Sequence, residues 1–313
     1  MRNAITDVPG VLVGHATRIG GGALTGTTAV LFPPDTLSTV DVRGGGPATR
    51  DTAALDPRYG GRVVPGVVLT GGSAYGLATA DGAARALGSP VPAAALFDLG
   101  RGGEFHACPT PELGAEAVRA AGVEVAQGNV GAGTGALDAA LKGGIGTASV
   151  ALGGGVVVGA IAVLNASGLS VDPTTGMPHA VRLGLPGEFP EPGGDDLTRP
   201  LPRFRHPFNT VIGVVATNAR LPRLFALANA AQDGLALAVE PAHGLSDGDT
   251  VFAASTGTHD APVDAVSQAA THVFARALVH GLLAAESVTT SWGTLTAYRE
   301  QYPRTAAGYR RAT

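Results

Sequence analysis

Cysteine is almost missing from this chain. There is one, Cys108, in 313 residues. That excludes an intramolecular disulfide framework and a metal centre built on cysteine. The eight histidines are scattered, with no pair at metal-ligand spacing, so a protein free of metal and cofactor is expected. Charge is scarce too: 15% of residues are charged and the net charge is −4. With no basic stripe, nucleic-acid binding has no electrostatic footing. The one dense basic group, Arg304, Arg310 and Arg311, reads as a solvated tail. Lysine is down to a single residue, Lys142. Long apolar runs are lacking as well. Segments 148–166 and 211–217 are broken by glycine or too short to cross a bilayer. The opening MRNAITDVPG has no apolar h-region. These absences point to a cytoplasmic protein with neither membrane nor nucleic acid as a partner.

What is abundant is glycine, 47 residues, set inside apolar segments rather than in polar linkers. That placement suggests tight turns and backbones in close approach. The length suits one large domain or two ordinary ones. Periodicity predicts strands at 11–14, 27–32, 63–70, 90–99, 211–217 and 250–255. It predicts helices at 74–87, 111–122, 220–237 and 262–285. Residues 147–168 read as a hairpin around a triple-glycine turn. There is no internal repeat. Hairpins mixed with βα units imply an α/β fold with helices outside the sheets, not a purely parallel one.

One junction stands out. Residues 172–208 are rich in Pro, Gly and charge, and they empty into the apolar run VIGVVAT. Asn209 and Thr210 sit at the joint. Loops of this length inside a compact domain are functional or disordered. If the chain were cut before Thr210, an α-amine would stand beside its hydroxyl, a known way to activate a threonine nucleophile. The alternative is a threonine that opens an ordinary strand.

Other candidates also have two readings. Asp247 and Asp249, in GLSDGDT, can face one pocket from an extended segment or form a turn. Near an amine, two carboxylates would raise its pKa. Asn165 ends the strand IAVLN and is either an oxyanion donor or a turn former. Tyr75, in GGSAYG, lines a pocket or packs. The glycine run GNVGAGTGA fits neither dinucleotide nor Walker spacing, and packing is its better reading.

Taken in order, ITDVPGVLVGH, RGGGPATRDT, LTGGSAYGLATADG, VPAAALFDLG, GNVGAGTGA, KGGIGTAS, NTVIGVVATNA and DGDTVFAASTG resemble the P1 peptidase family. That family contains L-aminopeptidase/D-esterase and β-peptidyl aminopeptidases, and the likeness leans toward its nylon-oligomer hydrolase branch. It covers nearly the whole chain. It implies a four-layer αββα sandwich, similar to N-terminal-nucleophile hydrolases but with its own topology. It implies one domain, 1–313, self-cleaved at Asn209–Thr210 into 1–209 and 210–313. The family's roles would fall on Thr210 as nucleophile, Asn165 in the oxyanion hole, and Lys142, Asp247 and Asp249 as the charged set.

The β-peptidyl branch places a glutamate near its FD-type motif to hold a substrate amine. Here that stretch is Ala93, Ala94 and Ala95, and the first carboxylate is Asp98. Asp98, and Tyr75 on its pocket-lining reading, are the candidate substrate-binding residues. A hydrolase of small peptides, amides or esters is expected, needing no cofactor and keeping its activity under chelation. The resemblance also implies a homotetramer or larger assembly. A same-fold acyltransferase similar to ornithine acetyltransferase, or a non-enzymatic binding scaffold, are the other classes.

Overall fold

The computed structural model describes residues 1–191, 199–202 and 209–309. Arg310 and Arg311 of the basic tail lie outside these, as do parts of the segment 172–208. Two sheets form the middle of the molecule. The first has five strands in the order β1 (Leu12–Gly20), β2 (Ala23–Leu31), β6 (Gly66–Thr70), β7 (Ala93–Ala95) and β4 (Ala48–Arg50). The second has six, in the order β10 (Ile145–Gly153), β11 (Val156–Val163), β12 (Ile212–Arg220), β13 (Thr250–Asp260), β3 (Leu37–Val42) and β5 (Arg62–Val63). Two short strands, β8 (Leu137–Asp138) and β9 (Leu141–Lys142), pair separately.

Alternation along the strands builds the layers, because successive side chains point to opposite faces. In β12, Ile212, Val214 and Ala216 face the first sheet and pack with Val13, Val30, Val67 and Leu69. Val211 and Val215 point the other way, toward helices α4 (Phe225–Ala238) and α5 (Val263–Ala284). On the far side of the first sheet lie α2 (Thr79–Leu87) and α3 (Pro111–Arg119). The result is the expected αββα sandwich. Two pairs are parallel, β12 with β13 and β6 with β7, and each is bridged by helix. The remaining named pairs are antiparallel, as the mixture of hairpins and βα units foretold.

Some expectations need correction. The run placed as one strand at 63–70 is two, β5 in the second sheet and β6 in the first. The strand placed at 90–99 is only Ala93–Ala95. The helix placed at 74–87 is two pieces, α1 (Ser73–Gly76) and α2. Strand β3 was not foreseen, because its Ser38 and Thr39 look solvent-facing. Both are buried against Ala254 and Ala253 of β13.

Glycine is used where layers touch. A Cβ on Gly146 of β10 would stand 2.2 Å from both the Ala277 carbonyl oxygen and the Gly281 nitrogen of α5. No helix among the described residues is long and apolar enough to cross a membrane.

Gly146→Ala is expected to push α5 off the sheet, costing about 1–3 kcal/mol as an overpacking change. Urea unfolding would show a lowered midpoint at an unchanged slope.

Candidate active site

Strand register brings the site together. β11 runs antiparallel to β12 with Val163 opposite Ile212. Two residues further, Asn165 faces Thr210, and the Thr210 N–H donates to the Asn165 carbonyl at 2.7 Å. β13 runs parallel to β12 with Ile212 beside Thr250. Carried backwards, that pairing sets Asn209 beside Asp247, where a parallel bridge forms. Three segments remote in sequence therefore end at one point.

Parity decides where each side chain goes. Thr210 shares the face of Ile212, and Asn165 shares that of Ile161 and Val163, so both point between the sheets. A cavity of about 180 Å³ opens there, lined by Gly46, Ala48, Ser73, Ala95, Phe97, Asn209, Thr210 and Ser246. Its walls carry no charged side chain. The Thr210 hydroxyl donates to the Asn209 carbonyl oxygen at 2.5 Å. The Asn165 Oδ1 accepts from Arg101 Nη1 at 2.7 Å and from Leu137 N–H at 3.0 Å. Its Nδ2 is buried and has no partner among the described residues.

Asp247 and Asp249 have the parity of Val251 and sit toward the helix layer. Their contacts are with neighbours of Thr210. Asp249 accepts from the Val211 N–H at 2.9 Å through Oδ1, and its Oδ2 meets His243 Nδ1 at 2.8 Å. Asp247 accepts from Ser167 Oγ at 2.6 Å and from the Gly244 N–H at 3.0 Å. Ser167 in turn accepts from Asn209 Nδ2 at 3.2 Å. Burial pushes the Asp247 carboxyl above its ordinary value, and the nearby Asp249 charge adds to this. Asp249 thus grips the backbone just after the junction, and Asp247 reaches the Asn209 side chain just before it through Ser167.

Lys142, on β9, is fully buried. Its ammonium donates to the Gly133 and Gly143 carbonyls at 3.0 and 2.5 Å. Burial lowers its pKa to about 7, and neighbouring Arg101 pushes the same way. Gly133 belongs to the glycine run 128–136, whose amides are spent inside the protein. Gly131 N–H donates to Thr17 Oγ1 and Ala132 N–H to Thr28 Oγ1. That run is packing, as expected, and leaves those amides no phosphate to hold.

The two substrate-binding candidates are placed elsewhere. Tyr75 is 61% exposed on α1 and does not line the cavity; Ser73, two residues earlier, does. Asp98 is buried behind the cavity, where its Oδ1 accepts the Gly72 N–H at 2.7 Å. The chain after β7 turns Phe97 to the cavity and Asp98 into the core. Burial raises the Asp98 pKa to about 6 against the pull of Arg101 and Lys142. Sequence reading missed Arg101, His243 and Ser167. Arg101 carried no signal beyond its place in DLGRGG. Among the described residues, no group of three or more His, Cys, Asp or Glu side chains could hold a metal ion.

Residues 3–295 match the model of peptidase family S58. This chain belongs to that family. The S58 chain is 44% identical to a protein of Mycobacterium tuberculosis named as an uncharacterized aminopeptidase, over 96% of this chain and 98% of that one. A similarly named protein of Mycobacterium leprae is also 44% identical, over 91% of each. Among solved structures, a β-aminopeptidase of a Burkholderia species superposes with a TM-score of 0.74 at 25% identity, covering 98% of this chain and 93% of that one. The L-aminopeptidase D-Ala-esterase/amidase of Ochrobactrum anthropi, described as a variant of the Ntn-hydrolase fold, gives 0.71 at 24% identity. It covers 97% of this chain and 95% of its own. The fold is thus that of the Ntn-like aminopeptidases, and the S58 peptidase is a hydrolase of peptide bonds.

Lys142 makes a pH signature. Its folded pKa, about 7, lies below its ordinary 10.5. Between those values the unfolded chain holds the extra proton, so this residue makes stability rise with pH. Lys142→Met should remove that rise. Urea unfolding across the window should show the wild type gaining on the variant by about a few kcal/mol.

Proposed function

We propose that this S58 peptidase is a self-processing hydrolase with an N-terminal threonine nucleophile. The observation that carries the reading is Thr210. Its hydroxyl lies 2.5 Å from the carbonyl oxygen of the residue before it, at the wall of the cavity. In the first reaction, Thr210 Oγ adds to the Asn209 carbonyl carbon. The C–N bond breaks, leaving an ester and a free Thr210 amine. Water then hydrolyses the ester, and Asn209 becomes a C-terminal carboxylate. The products are 1–209 and 210–313.

The new α-amine has an ordinary pKa of about 7.7–8.0, near the useful range for a general base. The Asn165 carbonyl, which accepts the Thr210 N–H at 2.7 Å, remains available to orient it. In turnover the amine takes the Thr210 Oγ proton as the hydroxyl attacks the substrate carbonyl. The free Asn165 Nδ2 donates to the oxyanion, a contact worth roughly 10²–10³ in rate. The departing amine takes the proton back, and water resolves the acyl-enzyme. Asp247 and Asp249 act as positioning groups, because their bonds run to Val211, Ser167 and Gly244. Lys142 sets the charge behind the oxyanion site. The substrate is a small peptide or amide. Its acyl part is compact, since about 180 Å³ is below the usual small-molecule site of about 300–1,000 Å³. The names of the relatives favour an aminoacyl group there.

Thr210→Ala should yield a folded, full-length, inactive chain by mass spectrometry, and Thr210→Ser a cut one. Cleavage of the Ala variant at the same bond would sink the self-processing account. Asp249→Asn should slow the cut by about 100-fold, the cost of a misplacement of about 1 Å.

We also propose assembly into a homotetramer or larger. The edge of the second sheet supports it: Leu37 and Val63, paired across β3 and β5, are 43% and 53% exposed. Light scattering should give a multiple of 31.0 kDa; a monomer at all concentrations removes the proposal.

A further inference from the structure

An asparagine amide has two ends, and only one can serve an oxyanion. Which end of Asn165 is left free is decided by the groups that hold the other. Its Oδ1 lies against two donors, Arg101 Nη1 at 2.7 Å and Leu137 N–H at 3.0 Å. Neither can accept a hydrogen bond. Flipping the amide would press its NH₂ against both and leave three donors without an acceptor, so the flip is closed.

Arg101 is an unexpected residue to find there. It is fully buried. It forms no ion pair among the described residues within 4 Å; Asp98 and Lys142 act on it or near it only at longer range. Its Nε and Nη2 have no partner among the described residues. The directed bonds of the guanidinium come from Nη1 alone, to Asn165 Oδ1 and to the Gly135 carbonyl at 2.6 Å. Thr290 Oγ1 holds the Arg101 carbonyl at 2.6 Å and fixes the backbone from which the side chain reaches. A buried charge held this way, without a paired carboxylate, is costly. Here the field falls along the amide. A cation on Oδ1 draws density from Nδ2 and makes that N–H a stronger donor, since linked hydrogen bonds polarise one another.

We infer that Arg101 is a positioning residue for the reaction: it locks the orientation of the Asn165 amide and polarises it toward the oxyanion. The inference rests on the reading of Asn165 as the oxyanion donor. It goes beyond that reading by giving the donor's orientation and strength to a residue outside the cavity.

The self-cleavage reaction tests it without an external substrate. Freshly translated full-length chain is followed on a denaturing gel for the appearance of the two pieces. Arg101→Met should slow the cut by about 100-fold, comparable to losing an oxyanion donor. Arg101→Lys, which keeps a cationic donor, should recover to within about tenfold of wild type. The deciding measurement is a double-mutant cycle with Asn165→Ala. If Arg101 works through Asn165, adding Arg101→Met to Asn165→Ala should slow the cut less than about threefold further. An equal, additive slowing in that background overturns the inference and leaves Arg101 a packing residue, as does a wild-type rate in Arg101→Met. Should the Met variant be insoluble, the same cycle is run with Arg101→Lys, whose smaller effect must likewise vanish beside Asn165→Ala. A wild-type rate in Asn165→Ala removes this inference while leaving the threonine intact. Cleavage in Thr210→Ala removes the threonine reading itself.

Discussion

Everything at this site depends on the register of three strands. The antiparallel pairing of β11 with β12 puts Asn165 opposite Thr210, and the parallel pairing of β12 with β13 puts Asp247 beside Asn209. A slip of one residue in either ladder would turn Thr210 toward the helix layer. Burial on both faces of β12 forbids the slip, because Ile212 and Val214 fill the space between the sheets while Val211 and Val215 fill the space under the helices. The core and the chemistry are therefore specified by the same pattern of apolar residues. Precision at the junction needs no dedicated scaffold, only a central strand that cannot move.

Behind the cavity the protein keeps an unusual store of charge. Asp98, Arg101 and Lys142 are all fully buried or nearly so in a chain with few charges to spare. Burial pushes the acid up to about 6 and the lysine down to about 7, so each sits close to neutral pH. Such displaced values are common where a fold serves catalysis rather than stability alone. The cavity wall itself is uncharged, so these charges stand behind it, with Arg101 bonded to Asn165 and Lys142 to glycine carbonyls.

Much of this was legible from the residues. The hairpin 147–168, strand 211–217 and helix 262–285 have strong periodicity and appear near their expected places. The junction Asn209–Thr210 was visible as a composition break. The ordered motifs pointed to the family and so to the layers. Other features were hidden for physical reasons. β3 hides buried hydroxyls inside a polar-looking hexapeptide. Asp98 and Tyr75 could not be placed, because side-chain direction after a three-residue strand is set by tertiary packing, not by local pattern. His243, whose backbone is left-handed at φ 58°, meets Asp249 only because its loop folds back. Arg101 gives no local signal, as its partner lies 64 residues away.

Glu188 closes the picture from far outside the cavity. With Asn3 it comes from the segment before the junction, and it binds Arg276 and His280 from the segment after it at 2.7–2.8 Å; His280 also meets the Tyr309 hydroxyl at 2.8 Å. If the chain is cut as proposed, this buried knot and the shared sheet are what join two separate polypeptides. The pieces fold as neighbours on one chain but would have to find each other again by diffusion. Unfolding of the cut protein then ceases to be a simple reversal of its folding. Its durability becomes a question of how slowly it opens and how concentrated its fragments are, not of a single equilibrium constant.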